Sequence, residues 1–272
     1  MAEEDCIIDP GQSPLGTKEY WDEFYTAELF DFEDADTSEC WFGEEVNEKV
    51  CDWIALGCDR ENPTNTQTFP GLSLESKILD IGCGNAKTLI YLVEKHSFKT
   101  LHGVDYSKFG IELGQKFLRS RFKLSECPVS LFVLDIVDLA GLSENTLLSS
   151  NYDLIFDKGT FDAICLNCVK DMRMRYICAV CSLMKPEQSY LVINSCNWTE
   201  NELVQLVESM STTKNRKACC EELKIELVQN KNYALKKFKC LPHPVFEFRG
   251  QTGSALVTVA FKLQKEVHSP EC

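Results

Sequence analysis

The segment Leu79-Asp80-Ile81-Gly82-Cys83-Gly84-Asn85-Ala86 constrains this chain most. A short apolar run, Lys77–Ile81, precedes it, and a helical pattern over Lys87–Lys95 follows. Two glycines one residue apart, between strand and helix, let the backbone turn sharply and approach a ligand closely. In the first βα turn of a doubly wound sheet, that is where a nucleotide-like cofactor binds. A dinucleotide fingerprint requires a third glycine, where this chain has Lys87. Asp80, at the strand end, would also repel a pyrophosphate. A cofactor with a cationic sulfonium and amino group tolerates that carboxylate, so the loop favours S-adenosylmethionine. A glycine-rich turn without a ligand is the structural alternative.

The rest of the chain continues the alternation. Strands are expected at Leu101–Val104, Val129–Leu134, Tyr152–Phe156 and Ser189–Asn194. Helices are expected at Lys108–Phe122, Phe161–Leu166, Met172–Met184 and Glu202–Met210. Continuous apolar strands between helices imply a parallel sheet covered on both faces. Leu223–Val228 and Ala255–Leu263 read as strands with no helix between them, so they are expected to pair antiparallel at one edge. The fold class is therefore α/β, a doubly wound, mostly parallel sheet with an antiparallel edge. Two helices are expected before the sheet. Thr17–Leu29 carries Trp21, Phe24, Tyr25 and Leu29 on one side, and Glu44–Leu56 ends at Gly57. Residues 1–15 read as a disordered tail, 16–75 as a helical cap and linker, and 76–265 as the main domain.

Three acids fall at the ends of successive strands. Asp80 precedes the glycines, Asp105 lies twenty-one residues after Gly84, and Asp135 ends the third strand. Asp105 suits the ribose hydroxyls, or else it caps the helix that begins near Ser107. Asp135 suits an adenine amino group, or else it is a surface turn residue. The fourth strand ends in Asp157-Lys158-Gly159-Thr160-Phe161-Asp162-Ala163. Asp157 is the candidate to orient an incoming amine, with a helix cap as the alternative. Asn197 and Trp198, after the fifth strand, are candidates for the acceptor side, although Thr199 and Glu202 form a capping box that explains the turn by itself. Cys165/Cys168 and Cys178/Cys181 have metal-ligand spacing, but they lie in apolar helical stretches and read as buried thiols, so no metal site is expected.

Charge is placed unevenly. Residues 1–45 hold fifteen acids and one base, whereas the remaining residues hold 27 of each. No basic patch is evident, so nucleic acid is not the expected partner. No apolar run has the length of a membrane span, and the acidic start has no signal-peptide pattern. Fifteen scattered cysteines suit a reducing compartment. Residues 209–240 carry eight Lys or Arg against three Glu and read as an exposed insertion.

Taken together with Leu15–Asp22, Glu39-Cys40-Trp41-Phe42-Gly43-Glu44 and Ser195–Thr199, these motifs resemble the seven-stranded class I, Rossmann-like methyltransferases. Within that class the chain is similar to the protein-lysine methyltransferases that modify translation elongation factor 1-alpha. The resemblance covers most of residues 15–263. It implies a cytoplasmic enzyme, with the nucleus as a second compartment, that methylates a lysine of that factor. It also implies that Trp41 sits near the cofactor and that Gly82, Gly84, Asp105 and Asp135 bind it. Ala86 stands where the class commonly has glycine. Such a substrate is basic, so Asp31, Glu33, Asp34 and Asp36 are expected to face it. A small-molecule methyltransferase on the same fold, and a scaffold without activity, are the alternatives.

Overall fold

The computed structural model describes residues 13–35, 38–56, 69–123, 125–144, 151–169, 171–223, 230–248 and 251–266. Four parallel pairings build the central sheet. β1 (Lys77–Ile81) pairs with β2 (Thr100–Asp105) and β4 (Leu154–Lys158); β2 pairs with β3 (Val129–Val133), and β4 with β5 (Tyr190–Ser195). β6 (Tyr233–Leu241) and β9 (Val257–Lys265) complete seven strands in the order β3-β2-β1-β4-β5-β9-β6. β9 is antiparallel to both its neighbours, which gives the expected antiparallel edge. β7 (Phe246–Phe248) and β8 (Gln251–Gly253) form a separate hairpin.

The strands are apolar on both faces because helices cover both. Leu79, Ile81, Ile155, Leu191 and Ile193 point to one side, beneath α5 (Leu139–Glu144), α6 (Thr160–Cys165), α7 (Met172–Leu183), α8 (Glu200–Met210) and α9 (Thr213–Leu223). Ile78, Leu154, Phe156 and Val192 point to the other, beneath α2 (Glu44–Ala55), α3 (Lys87–His96) and α4 (Lys108–Arg121). α1 (Lys18–Ala35) packs against α4, with Phe32 edge-on to Phe117 at 4.7 Å between ring centroids. Among the described residues, no helix is long and apolar enough to cross a membrane.

The edge corrects one expectation. The antiparallel partner of β9 is Tyr233–Leu241, not Leu223–Val228. Leu223 ends α9, and residues 224–229 lie outside the described residues. Lys236, Lys237 and Lys239 interrupt the apolar pattern of β6, the usual character of an edge strand that must not pair further. The basic stretch at 209–240 is thus largely α9 and β6, and α9 packs on α7 and α8. At the other end, residues 1–12 of the expected tail, and Gly57, lie outside the described residues. Ser13 is held to the body by its amide, which donates to the Leu166 carbonyl at 3.3 Å.

Strand order reverses between β1 and β4, since the chain builds outward from β1 to β3 and then returns to the other side. In such sheets the crevice outside the carboxyl ends of the strands, at that reversal, receives the ligand.

Candidate cofactor and acceptor site

A cavity opens at this reversal, with about 1020 Å³ of space including its mouth. The ends of four strands form its floor. Gly82 follows β1, Asp105 ends β2, Leu134 to Val137 follow β3, and Lys158 to Thr160 close β4. Trp21, Phe24 and Tyr25 of α1, with Glu39 and Trp41 of the segment before α2, form the roof.

The glycine loop is built around two left-handed glycines. Gly82 has φ +66°, and a Cβ there would collide with Oγ1 of Thr160. Gly84 has φ +47°, and a Cβ there would collide with the Tyr25 hydroxyl. Gly84 therefore lies under Tyr25 rather than in the wall, and its amide donates to Asp105 at 2.9 Å. Ala86 also has a left-handed backbone, with φ 61°.

Asp105 lines the cavity and is 5% exposed. Each of its oxygens accepts one backbone N–H, from Gly84 at 2.9 Å and from Ser107 at 2.8 Å. Each oxygen keeps a second lone pair for a ligand. Burial pushes its carboxyl up to about 6 against those two hydrogen bonds. Ser107 itself caps α4. The two roles weighed for this end of β2 are thus shared between neighbours. Asp135 also lines the cavity, with Oδ1 accepting the Val137 amide at 3.1 Å.

Asp80 is placed differently. It is 3% exposed, lies on the α2–α3 face of β1 and forms no part of the cavity wall. Burial pushes its carboxyl up to about 8, while the charge of Lys158 acts to lower it.

Asp157 does not reach the cavity either. It is fully buried and points toward α6 and α7. Its oxygens accept the amides of Thr160 at 3.0 Å and Phe161 at 3.0 and 3.1 Å, and the Tyr176 hydroxyl donates to it at 2.7 Å. Those contacts cap α6 and tie it to α7, so the geometry gives Asp157 no path to an acceptor amine. Asn197 and Trp198 also stand outside the wall. Trp198, 7% exposed, packs in the core beneath α6 to α8. Each leaves a buried side-chain nitrogen without a hydrogen-bond partner. The capping box at Thr199 and Glu202 is formed.

Trp41 is in the wall. It stands edge-on to Trp21 at 5.2 Å and lies against Gly159, where a Cβ would sit 2.9 Å from its ring. The segment carrying it is fastened to the glycine loop. Asn85 donates to Ser38 Oγ at 2.8 Å and to the Glu39 carbonyl at 2.6 Å. Lys87 donates to the Ser38 carbonyl at 2.6 Å and pairs with Glu44 at 2.7 Å. The cation that disfavoured a dinucleotide thus anchors the roof.

Among the lining residues missed by sequence reasoning are Trp21, Phe24, Tyr25, Glu39, Tyr106, Lys158 and Thr160. Tyr106 and Lys158 directly follow residues that sequence reasoning selected, and that adjacency was the available signal.

Residues 72–250 match the family described as a methyltransferase domain. EEF1A lysine methyltransferase 2 of Danio rerio is 33% identical over 258 residues, 93% of this chain and 90% of that protein. The protein-lysine N-methyltransferase efm4 of Schizosaccharomyces pombe is 34% identical over 262 residues, 93% of this chain and 95% of that protein. Among solved structures, magnesium protoporphyrin IX methyltransferase from Synechocystis PCC 6803, with bound SAM, aligns with a TM-score of 0.51. That alignment spans 89% of this chain and 94% of the other at 12% identity, a likeness of fold alone. With the glycine loop, the strand-end acids and the seven-stranded order in place, the chain belongs to the methyltransferase-domain family and, within it, to the protein-lysine N-methyltransferases represented by EEF1A lysine methyltransferase 2 and efm4.

Proposed function

We propose that this protein is an S-adenosylmethionine-dependent enzyme that methylates a lysine of translation elongation factor 1-alpha in the cytoplasm. The observation that carries the proposal is a single cavity. Gly82, Asp105 and Asp135 line its floor across β1 to β3, and Trp41, Lys158 and Gly159 close it at β4. The cofactor fits this lining: Asp105 retains acceptor capacity for hydroxyls. Gly82, Asp105, Asp135 and Trp41 would hold S-adenosylmethionine, which supplies an activated methyl group when bound. Three curated relatives, at 30–33% identity, carry the factor in their name, EEF1A lysine methyltransferase 2, and support the substrate.

The surface supports a basic protein partner. Glu19, Glu23 and Asp31 are exposed on α1 beside Phe30, which is 72% exposed. Glu33 and Asp34 belong to the same helix, and Asp36 lies outside the described residues. Acidic groups there favour encounter with a basic surface.

The test is transfer of radiolabelled methyl from S-adenosylmethionine in a cytosolic extract, read by gel, with Asp105→Asn as the control. One labelled band at the size of elongation factor 1-alpha, absent with the variant, is the expected result. Label only in small molecules, or none with a folded protein, would overturn the assignment.

A further inference from the structure

Asp157 and Lys158 leave β4 on opposite faces of the sheet. Asp157 is committed to α6 and Tyr176 by four hydrogen bonds. Lys158 turns into the cavity wall, half-buried, and its Nζ donates to the Trp41 carbonyl at 3.3 Å. The residue of β4 that reaches the cavity is therefore a cation.

This matters for a lysine acceptor, whose side chain is ordinarily protonated below pH ~10.4. An ammonium has no lone pair with which to accept a methyl, so the proton must leave first. Among the described residues that line the cavity, the carboxylates are Glu39, Asp105 and Asp135. Asp105 and Asp135 belong to β2 and the end of β3, away from β4. Glu39 lies at the exposed rim.

We propose that Lys158 makes the acceptor lysine shed its proton, by holding a fixed positive charge at the β4 end of the cavity so that only a neutral amine settles there. A like charge at close range disfavours the ionised form. The inference rests on the protein-lysine methyltransferase function proposed above. The titratable groups around Lys158 are Asp80 from β1, Cys40 and Glu39 from the segment before α2, and Cys51 from α2. Asp80, whose carboxyl burial pushes up to about 8, lies beneath the floor, 3% exposed, so the charge presented to the cavity is that of Lys158. The released proton passes to solvent through the mouth beside Glu39.

Lys158→Met removes the charge and keeps the length, and Lys158→Arg keeps the charge. A cooperative thermal unfolding transition within about 5 °C of wild type shows that each variant folds. Calorimetry at pH 8.5 in buffers of different ionisation enthalpy then counts protons released when elongation factor 1-alpha binds the protein with S-adenosylhomocysteine. Wild type and Lys158→Arg should release more than roughly half a proton, and Lys158→Met clearly less, if the acceptor pKa falls by about 2 units or more. The ascending limb of kcat, which reports the acceptor amine in the bound complex, should move up by about one pH unit in Lys158→Met alone, a roughly tenfold loss at pH 7.5 that is recovered at high pH. The same proton release in Lys158→Met, with a loss equal at every pH, would overturn the inference and leave the function standing. No transfer to the factor by wild type would overturn the function and this inference with it.

Discussion

Gly82 shows how one residue serves both fold and site. Its φ of +66° is one that a side chain disfavours, and the space beside it is taken by Thr160, whose hydroxyl donates to the Ile81 carbonyl at 2.8 Å. β1 and the start of α6 are thereby joined at the cavity floor. Gly82→Ala combines backbone strain of about 1–2 kcal/mol with a collision against Thr160. We expect a fall in stability of about 2–4 kcal/mol, in the range of overpacked sites, and loss of cofactor binding. Adding Thr160→Ala removes the oxygen that the new methyl strikes, so the double variant should regain part of the stability in denaturant unfolding. Strict additivity of the two losses would show that the collision is not the cause. Ala86 is a milder case of the same strain: it keeps φ 61° and is fully buried.

α1 is the element that the site could least do without. Its Tyr25 stands over Gly84 and Gly110, its Asp22 accepts from the Ser107 hydroxyl at 2.6 Å, and Tyr106 donates to the Thr17 carbonyl at 3.3 Å. The helix thus grips the ends of β1 and β2 through the loops that follow them. Tyr25→Ala should leave a cavity above the glycine loop, at about 3–5 kcal/mol for a truncated aromatic. It should also weaken S-adenosylmethionine binding by tenfold or more, measured by calorimetry on the folded fraction. Unchanged affinity would mean that α1 is only a cover. This role was hidden in the sequence. The spacing of Trp21, Phe24 and Tyr25 shows that one face of the helix is covered, but a 3.6-residue period does not say by what. β1, the glycine loop and α3 were legible almost to the residue, because an apolar run, two glycines and a periodic helix are local signals. β6 was not, because its lysines disguise it. Asp157 was misjudged for a different reason: the residue closing a strand can turn to either face, and its partner Tyr176 comes from α7, nineteen residues away. Asp105 and Asp135 were found where the strand-end rule put them.

On the scale of the whole molecule, buried acid and surface charge act together. Asp80, Asp105 and Asp157 are buried, and their carboxyls are pushed up to about 8, 6 and 7 respectively, in each case chiefly by burial. Unfolding returns each of them to an ordinary value near 4. Between pH ~4 and ~8 the folded chain therefore binds more protons than the unfolded one, so stability falls as pH rises. The contribution is fully present below the unfolded pKa and is lost as pH passes through 6, 7 and 8 in turn. The net charge of -14 acts in the same direction, because self-repulsion grows as acids ionise. The protein without cofactor should therefore melt about 5 °C or more higher at pH 5.5 than at pH 8 in calorimetry at constant ionic strength. The cofactor should reverse part of this. Its positive charge near the strand ends favours ionised Asp80 and Asp105, so the rise in Tm produced by saturating S-adenosylmethionine should be larger at pH 8 than at pH 5.5. Asp80→Asn removes the group with the highest value, and should flatten the slope of Tm against pH above pH 7 while leaving the limb near pH 6, where Asp105 titrates, in place. A slope unchanged in Asp80→Asn would assign the pH dependence to surface charge alone.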